Sequence, residues 1–322
     1  MFYIGQQGDM ERGLLPLGFP HAYIFRPLII SSMTEKTCRI FCITPIKTPH
    51  YLKENDMPAF LVDTNRCKKD GICASVCPVA ALCLNDDKFP KNTPEGAARC
   101  ISCGQCIAFC PHGACSLEGI AADTPTPDFS KKPPEEQLTA FLLSRRSIRQ
   151  YRKEPVPQST VDAIMEGVRY APSAANTQPL RWILINSREH LKKAGDLVAQ
   201  GMEALAPDDV HLRSTVAAWR SGTDVYFRNA PQLMIAVAPK DWPWGREDGA
   251  VALTHFEMHA LTHGVGCCWA GYLTFIGARY APLEKFLGVE GHEVIVGAQF
   301  FGIPKLLPHA LPPRKKINLT IR

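Results

Sequence analysis

An α+β domain preceded by a small cysteine-rich module is the architecture this 322-residue chain predicts, on three observations. Cysteines crowd into residues 67–110 in two runs, a proline-rich stretch spans 121–136, and beyond it helical and strand hydrophobic periods alternate. The length and a hydrophobic fraction of 46% suit two domains, one of them with a sizeable core.

Residues 1–56 show no sustained period, place Cys38 and Cys42 outside any ligand spacing, and lack the charged start, apolar core and cleavage site of a signal peptide. Met57 directly precedes the apolar lead-in Ala59-Phe60-Leu61-Val62. The natural start is therefore expected at Met57, with 1–56 an upstream extension of little fixed structure. No apolar run approaches the roughly 20 residues a bilayer requires, so no membrane association is expected. A formal charge of +5, with no basic block interleaved with aromatics, argues against nucleic acid as a partner.

Residues 57–120 carry the cysteine runs. The second, Cys100-x2-Cys103-x2-Cys106-x3-Cys110-Pro111, has the spacing in which three thiolates wrap one four-iron cluster and the fourth reaches a different cluster. The first is Cys67, Cys73 and Cys77-Pro78. Crossed ligation follows: Cys77, Cys100, Cys103 and Cys106 hold one cluster, while Cys67, Cys73 and Cys110 hold the other. A zinc site is the alternative, but eight-ligand zinc modules do not carry paired C-x3-C-P endings. Where the first run needs another thiolate stands Asp70. It either ligates iron as a carboxylate or forms a tight turn with Gly71, leaving a three-iron or labile site. Gly104 is expected to let its loop pass close to the cluster. Cys83 and Cys115, each just beyond a C-P pair, read as small packing residues. Clustered thiols in a chain this long point to a reducing cytoplasm.

The stretch 121–136, with four prolines and little to bury, reads as a semi-rigid linker between the module and a second domain at 137–322. In that domain Pro133-Pro134-Glu135-Glu136 starts a helix through Leu138, Phe141 and Leu142, and Ser159 with Asp162 resembles a capping box before Val161, Ile164 and Val168. Strands are expected at 182–185, 233–237 and 293–301, with a helix over 249–262. No G-x-G-x-x-G follows a strand, so a dinucleotide-binding Rossmann domain is not supported.

Three segments of this domain carry chemistry. Arg145, Arg146, Ser147 and Arg149 gather cations and a hydroxyl suited to a phosphate monoester, or to a solvated basic face. The run 171–179 is a loop of small residues with two amides, fit to meet a flat heterocycle edge-on. Arg314 and Lys315 offer a second phosphate grip or a basic tail.

In this order the segments resemble the nitroreductase family of FMN-dependent enzymes, from about Leu138 to the C-terminus. The resemblance implies an α+β fold, a central sheet flanked by helices, and a homodimer with FMN at its interface. It implies flavin contacts from Arg145, Arg146, Ser147 and Arg149, and, across the dimer, from Pro172, Ser173, Ala174, Asn176 and Gln178. Trp269, Ala270 and Gly271 match the segment lying against the isoalloxazine; Arg314 and Lys315 match the C-terminal phosphate-binding pair. Residues 57–322 as a whole look like ferredoxin–nitroreductase fusions of anaerobic bacteria.

The expected function is FMN-dependent reduction of nitroaromatics, quinones or similar small electrophiles, with electrons received through the iron–sulfur clusters and a ferredoxin or NAD(P)H as donor. The flavin carries the hard chemistry, and no side chain is nominated as acid or base. The alternatives are a flavin/iron–sulfur carrier or sensor without turnover, or reductive dehalogenation or flavin fragmentation, which this superfamily includes.

Overall fold

The cysteine-rich region is built from very short elements, as expected of a segment with little to bury. The computed structural model describes residues 59–118 and 127–322; the expected extension at 1–56 and residues 121–126 of the expected linker lie outside the described residues. Strand β1 (Phe60–Val62) pairs antiparallel with β4 (Cys115–Leu117), and β2 (Leu82–Leu84) with β3 (Pro90–Asn92). Between them lie the one-turn helices α1 (Ile72–Ser75), α2 (Gly96–Arg99) and α3 (Gln105–Ala108). Its small core joins Cys73, Cys106 and Cys115 to Leu82, Ile107 and Leu117.

The larger domain begins with α4 (Glu135–Ser144) and α5 (Gln158–Val168). It continues through β5 (Arg181–Ile185), α6 (Arg188–Leu205), α7 (Val210–Arg220), β6 (Gln232–Pro239) and α8 (Gly245–Thr262). The chain then forms β7 (Gly266–Trp269), α9 (Gly271–Gly277), α10 (Ala281–Leu287) and β8 (Glu293–Gly302). The four strands form one antiparallel sheet in the order β5-β6-β8-β7. Alternation sends Leu233, Ile235 and Val237 of β6 to a core shared with α6, α9 and α10, while Met234 faces α5 and α8. β6 and β8 are buried almost throughout, so both sheet faces are covered by helices. Burying a side chain such as Phe256, between α8 and the sheet, stabilises by about 1.5–3 kcal/mol.

All three expected strands and all three expected helices form, with one correction. Pro157, not Ser159, stands at the N-cap of α5 and no side chain caps it; Gln158 Nε2 instead donates to Asp162 Oδ1 at 2.7 Å. A fixed proline φ starts that helix without a hydroxyl cap. Helix α4 has its expected apolar stripe yet buries none of its residues, Leu138, Leu142 and Leu143 all being exposed. Among the described residues no helix is long and apolar enough to cross a membrane.

Candidate functional site

The cysteine module repeats one design twice. Gly71 and Gly104, at φ 74° and 68°, each turn the chain into a one-turn helix that presents a buried cysteine, Cys73 in α1 and Cys106 in α3. A Cβ on Gly104 would meet no protein atom within 4 Å, and its left-handed backbone by itself favours glycine there. Cys77, Cys100, Cys103 and Cys106 line one cavity with Phe60, Leu82, Ile101 and Leu117. Burial pushes the Cys106 thiol up to about 11, helped by neighbouring Cys100 and Cys103. Burial raises the Cys73 thiol, and neighbouring Cys110 and Cys67 add to that rise.

Backbone N–H groups serve three of these sulfurs. Lys69 N donates to Cys67 Sγ at 3.4 Å, Ala81 N to Cys77 Sγ at 3.2 Å and Ala114 N to Cys110 Sγ at 3.3 Å. At Cys110 burial raises the thiol, but N–H donation from Ala114 and His112 outweighs it and holds the group below its ordinary value. Among the described residues no three Cys, His, Asp or Glu side chains are grouped to hold a single metal ion. Thiolates at the corners of a four-iron cube stand further apart than ligands converging on one ion. The Asp70 Oδ1 accepts from Ile72 N at 3.1 Å, and its Oδ2 lies 3.4 Å from Nε2 of His112, two residues beyond Cys110.

In the larger domain the arginine segment is stitched to the sheet. Ile148 N donates to Cys267 O at 3.0 Å, Arg152 N to Ile303 O at 2.9 Å, and Tyr151 bridges to Pro304. Arg145 is turned inward, its Nη1 donating at 3.0 Å to Oε1 of the buried Glu257 on α8. Arg146 donates to Leu143 O, and its buried Nε has no protein partner. Ser147 and Arg149 stand beside the Cys268 thiol, whose value burial raises while Arg149, Ser147 and Arg228 act against that rise. Cys267 and Cys268 are buried, and burial drives the Cys267 thiol up further, with Glu257 adding to it.

Trp269 follows on β7 with 41% of its surface exposed, while Ala270 is buried and the space over Gly271 is open. Opposite, Gly297 admits the indole: a Cβ there would lie 3.1 Å from the Trp269 ring. Gln299, Trp269's ladder partner, is fully buried with neither amide atom bonded. A hydroxyl, two guanidiniums, an open indole and unpartnered polar atoms at Arg146 and Gln299 fit a polar, flat aromatic ligand carrying a phosphate.

The loop holding Pro172, Ser173, Ala174, Asn176 and Gln178 is pinned at the other end of α8. Ala174 N donates to Asp248 Oδ1 at 2.9 Å, and Gln178 N to Ser173 Oγ at 2.9 Å. Asp248 and Glu257 are separated by about 13 Å along the helix, so one chain holds the loop and the arginine segment apart. Pro172, Ser173 and Gln178 line a separate cleft with Trp182 and Asp248. The Asn176 amide donates to Ile101 O at 3.2 Å and Ser102 O at 3.1 Å in the cysteine loop. Arg314 and Lys315 lie on an exposed segment without regular structure, with no hydrogen bond or ion pair to the arginine segment among the described residues. Sequence reasoning missed Asp248, Glu257 and Arg228. Acidic residues on the buried face of an otherwise apolar helix were the available signal for the first two.

Fold and site together define an oxidoreductase of the flavin-dependent class. The sequence model of the Nitroreductase family matches residues 142–303, half the chain, and the chain belongs to that family. It is 34% identical over 163 residues to a Methanothermobacter thermautotrophicus protein named, provisionally, NADH dehydrogenase/NAD(P)H nitroreductase, covering 51% of this chain and 75% of that one. A nitroreductase with bound FMN from Bacteroides fragilis shares the fold, with a TM-score of 0.50 and 23% identity over 59% of this chain and 99% of that one. One component of the Na(+)-translocating ferredoxin:NAD(+) oxidoreductase complex of Acetobacterium woodii is 39% identical over 95 residues, which is 27% of this chain and 28% of that component.

Proposed function

We propose that this chain is a cytoplasmic, homodimeric flavoprotein in which a two-cluster iron–sulfur module at 57–120 delivers electrons to FMN for the reduction of nitroaromatic, quinone or similar electrophilic substrates. The observation that carries this reading is the contact of the Asn176 amide with Ile101 and Ser102, which sit between Cys100 and Cys103. It joins the thiol-lined cavity to the loop that the family resemblance assigns to the flavin.

When bound, FMN supplies the conversion of single electrons into hydride transfer. The chain's own residues bind and orient it. Ser147 and Arg149 hold a phosphate or the polar edge of the ring, with Arg146 Nε as a further donor. Arg145, committed to Glu257, fixes the segment from below. Trp269, Ala270 and Gly271 would provide the surface for a flat ring, and the family resemblance gives Arg314 and Lys315 of the C-terminal segment a part in holding the phosphate. In the module, Cys77, Cys100, Cys103 and Cys106 hold one cluster, and Cys67, Cys73 and Cys110, with Asp70 in the register of the missing thiolate, frame the other.

A dimer is supported by α4, which leaves its apolar stripe uncovered, and by exposed Leu306, Leu307, Leu311, Ile317, Leu319 and Ile321 in the C-terminal segment. The separation of the two ends of α8 supports a loop that serves the flavin of the partner subunit. Anaerobic purification with iron, sulfide and flavin analysis tests the reading, followed by turnover with reduced ferredoxin or NAD(P)H and a nitro or quinone acceptor. Protein that binds FMN yet holds neither iron nor sulfide sinks the electron-input half; absence of turnover with every donor and acceptor sinks the enzymatic half.

A further inference from the structure

The two halves of the cysteine module can be compared position by position. In the half with a complete thiol set, Cys77 is followed five residues later by Leu82, which lines the cavity with Cys77, Cys100, Cys103 and Cys106. In the other half Cys110 is followed five residues later by Cys115. The correspondence is structural as well as numerical. Ala81 N donates to Cys77 Sγ, and Ala114 N donates to Cys110 Sγ, in the same register.

Cys115 sits on β4 with 2% of its surface exposed, and the alternation of that strand turns Cys115 and Leu117 into the module and Ser116 out of it. Its side chain packs with Cys73 and Cys110 in the module's small core. Gly113, at φ 55°, reverses the chain after Cys110, and Arg66 clamps that turn by donating from Nε to His112 O at 3.2 Å. The residue standing where the missing thiolate would be, Asp70, already spends its carboxylate on Ile72 N and His112. Where four cysteines are present the fold packs a leucine against them; where one is lacking it packs a fourth thiol.

We infer that Cys115 is the fourth thiolate of the first iron–sulfur site, completing Cys67, Cys73 and Cys110 so that this site holds a four-iron cluster without a carboxylate ligand. The inference rests on the cluster reading given under Proposed function. Ligation forms one S–Fe bond and releases the thiol proton; no electron is transferred, so no oxidant or reductant is needed.

The test uses the full chain purified anaerobically, as wild type, Cys115→Leu, Cys115→Ser and Asp70→Asn, with iron and sulfide counts and electron paramagnetic resonance. Leucine reproduces the packing found at the matching position in the other half. The expected result is about eight irons in wild type and in Asp70→Asn. Cys115→Leu should hold about seven, with the spectrum of an oxidised three-iron cluster and unchanged flavin content. If the leucine variant loses the whole module, Cys115→Ser decides, because its harder oxygen ligand should shed one iron on brief air exposure while wild type retains it. Two intact four-iron clusters in both Cys115 variants, or a three-iron cluster in wild type, overturn the inference and leave the cluster reading standing. Wild type without iron or sulfide overturns both.

Discussion

The side-chain amide of Asn176 donates to the carbonyl of Ser102 at 3.1 Å, so a loop of the larger domain is tied to the peptide between two cysteines. Both partners hold left-handed backbone, at φ 55° and 51°, an uncommon conformation for residues other than glycine. Asn176→Ala removes both donor bonds while leaving each domain its own core. Flavin content and thermal unfolding of the larger domain should stay near wild type, while electron delivery from reduced ferredoxin to the flavin slows by about tenfold or more. Stopped-flow reduction of the flavin measures this, and an unchanged rate would show that the clasp does not set the path.

Arg145 and Arg149 should separate in their effects although they lie four residues apart. Arg145→Ala leaves Glu257 buried without its cation and should cost about 2–3 kcal/mol of stability, below the range for a fully buried pair because Arg145 is partly exposed. Arg149→Ala should leave unfolding unchanged and weaken FMN binding by about tenfold or more, as loss of a charge-assisted contact does. Denaturant unfolding of flavin-free protein and fluorescence titration with FMN distinguish the two. Equal flavin affinity in Arg149→Ala and wild type would remove Arg149 from the site.

Cys103→Ser should divide the activities. The larger domain has its own core and should stay folded, bind FMN and accept electrons from dithionite. Turnover driven by reduced ferredoxin should fall by at least about a hundredfold if the clusters are the entry point. A variant depleted of cluster iron that keeps the wild-type ferredoxin rate would place the clusters off the path.

The Arg181–Glu293 pair joins β5 to the start of β8, with Arg181 Nε donating to Glu293 Oε1 at 2.8 Å. That guanidinium holds the Glu293 carboxyl below its ordinary value, against the opposing effect of burial. A depressed carboxyl contributes stability that is present above the unfolded value, about 4.3, and is lost as pH falls through the lower folded value. Glu293→Gln should therefore lower the Tm by a few degrees near pH ~7, with a deficit that narrows below pH ~4. Parallel melting curves across that range check the sign; a deficit that widens toward acid would refute it.

The elements legible in the sequence were those whose burial imposes a period: Ile164 and Val168 on α5, Leu233 to Val237 on β6, Phe256 and Ala260 on α8. Helices α6 and α7 went unread although Leu191, Ala194, Leu197, Val198 and Met202 on α6 recur at helical spacing, with Arg188, Lys192 and Arg213 confined to exposed positions. At the site, the cysteine spacing conveyed the grouping of thiols because turn geometry and ligand spacing are both local. The inward turn of Arg145 was not legible, since Glu257 lies on a helix far along the chain. Nor was the seat of Asn176, whose partners are main-chain carbonyls that carry no side-chain signature. Cys115 reads in the sequence as packing alone because its neighbours Cys73 and Cys110 meet it only once β4 has folded back on β1.

The stitching of residues 148–152 to Cys267, Ile303 and Pro304 also bears on how the protein is made. A chain emerging from the ribosome presents the arginine segment well before the strands that will hold it. Closing such long loops is entropically slow, and the sheet order β5-β6-β8-β7 leaves β6 without its inner neighbour until β8 appears. The cysteine module, whose contacts are local, can form while the larger domain is still being translated. Chains truncated before Pro304 should therefore acquire the module's fold without a competent flavin site, so cofactor capture acts as a late check on completed synthesis.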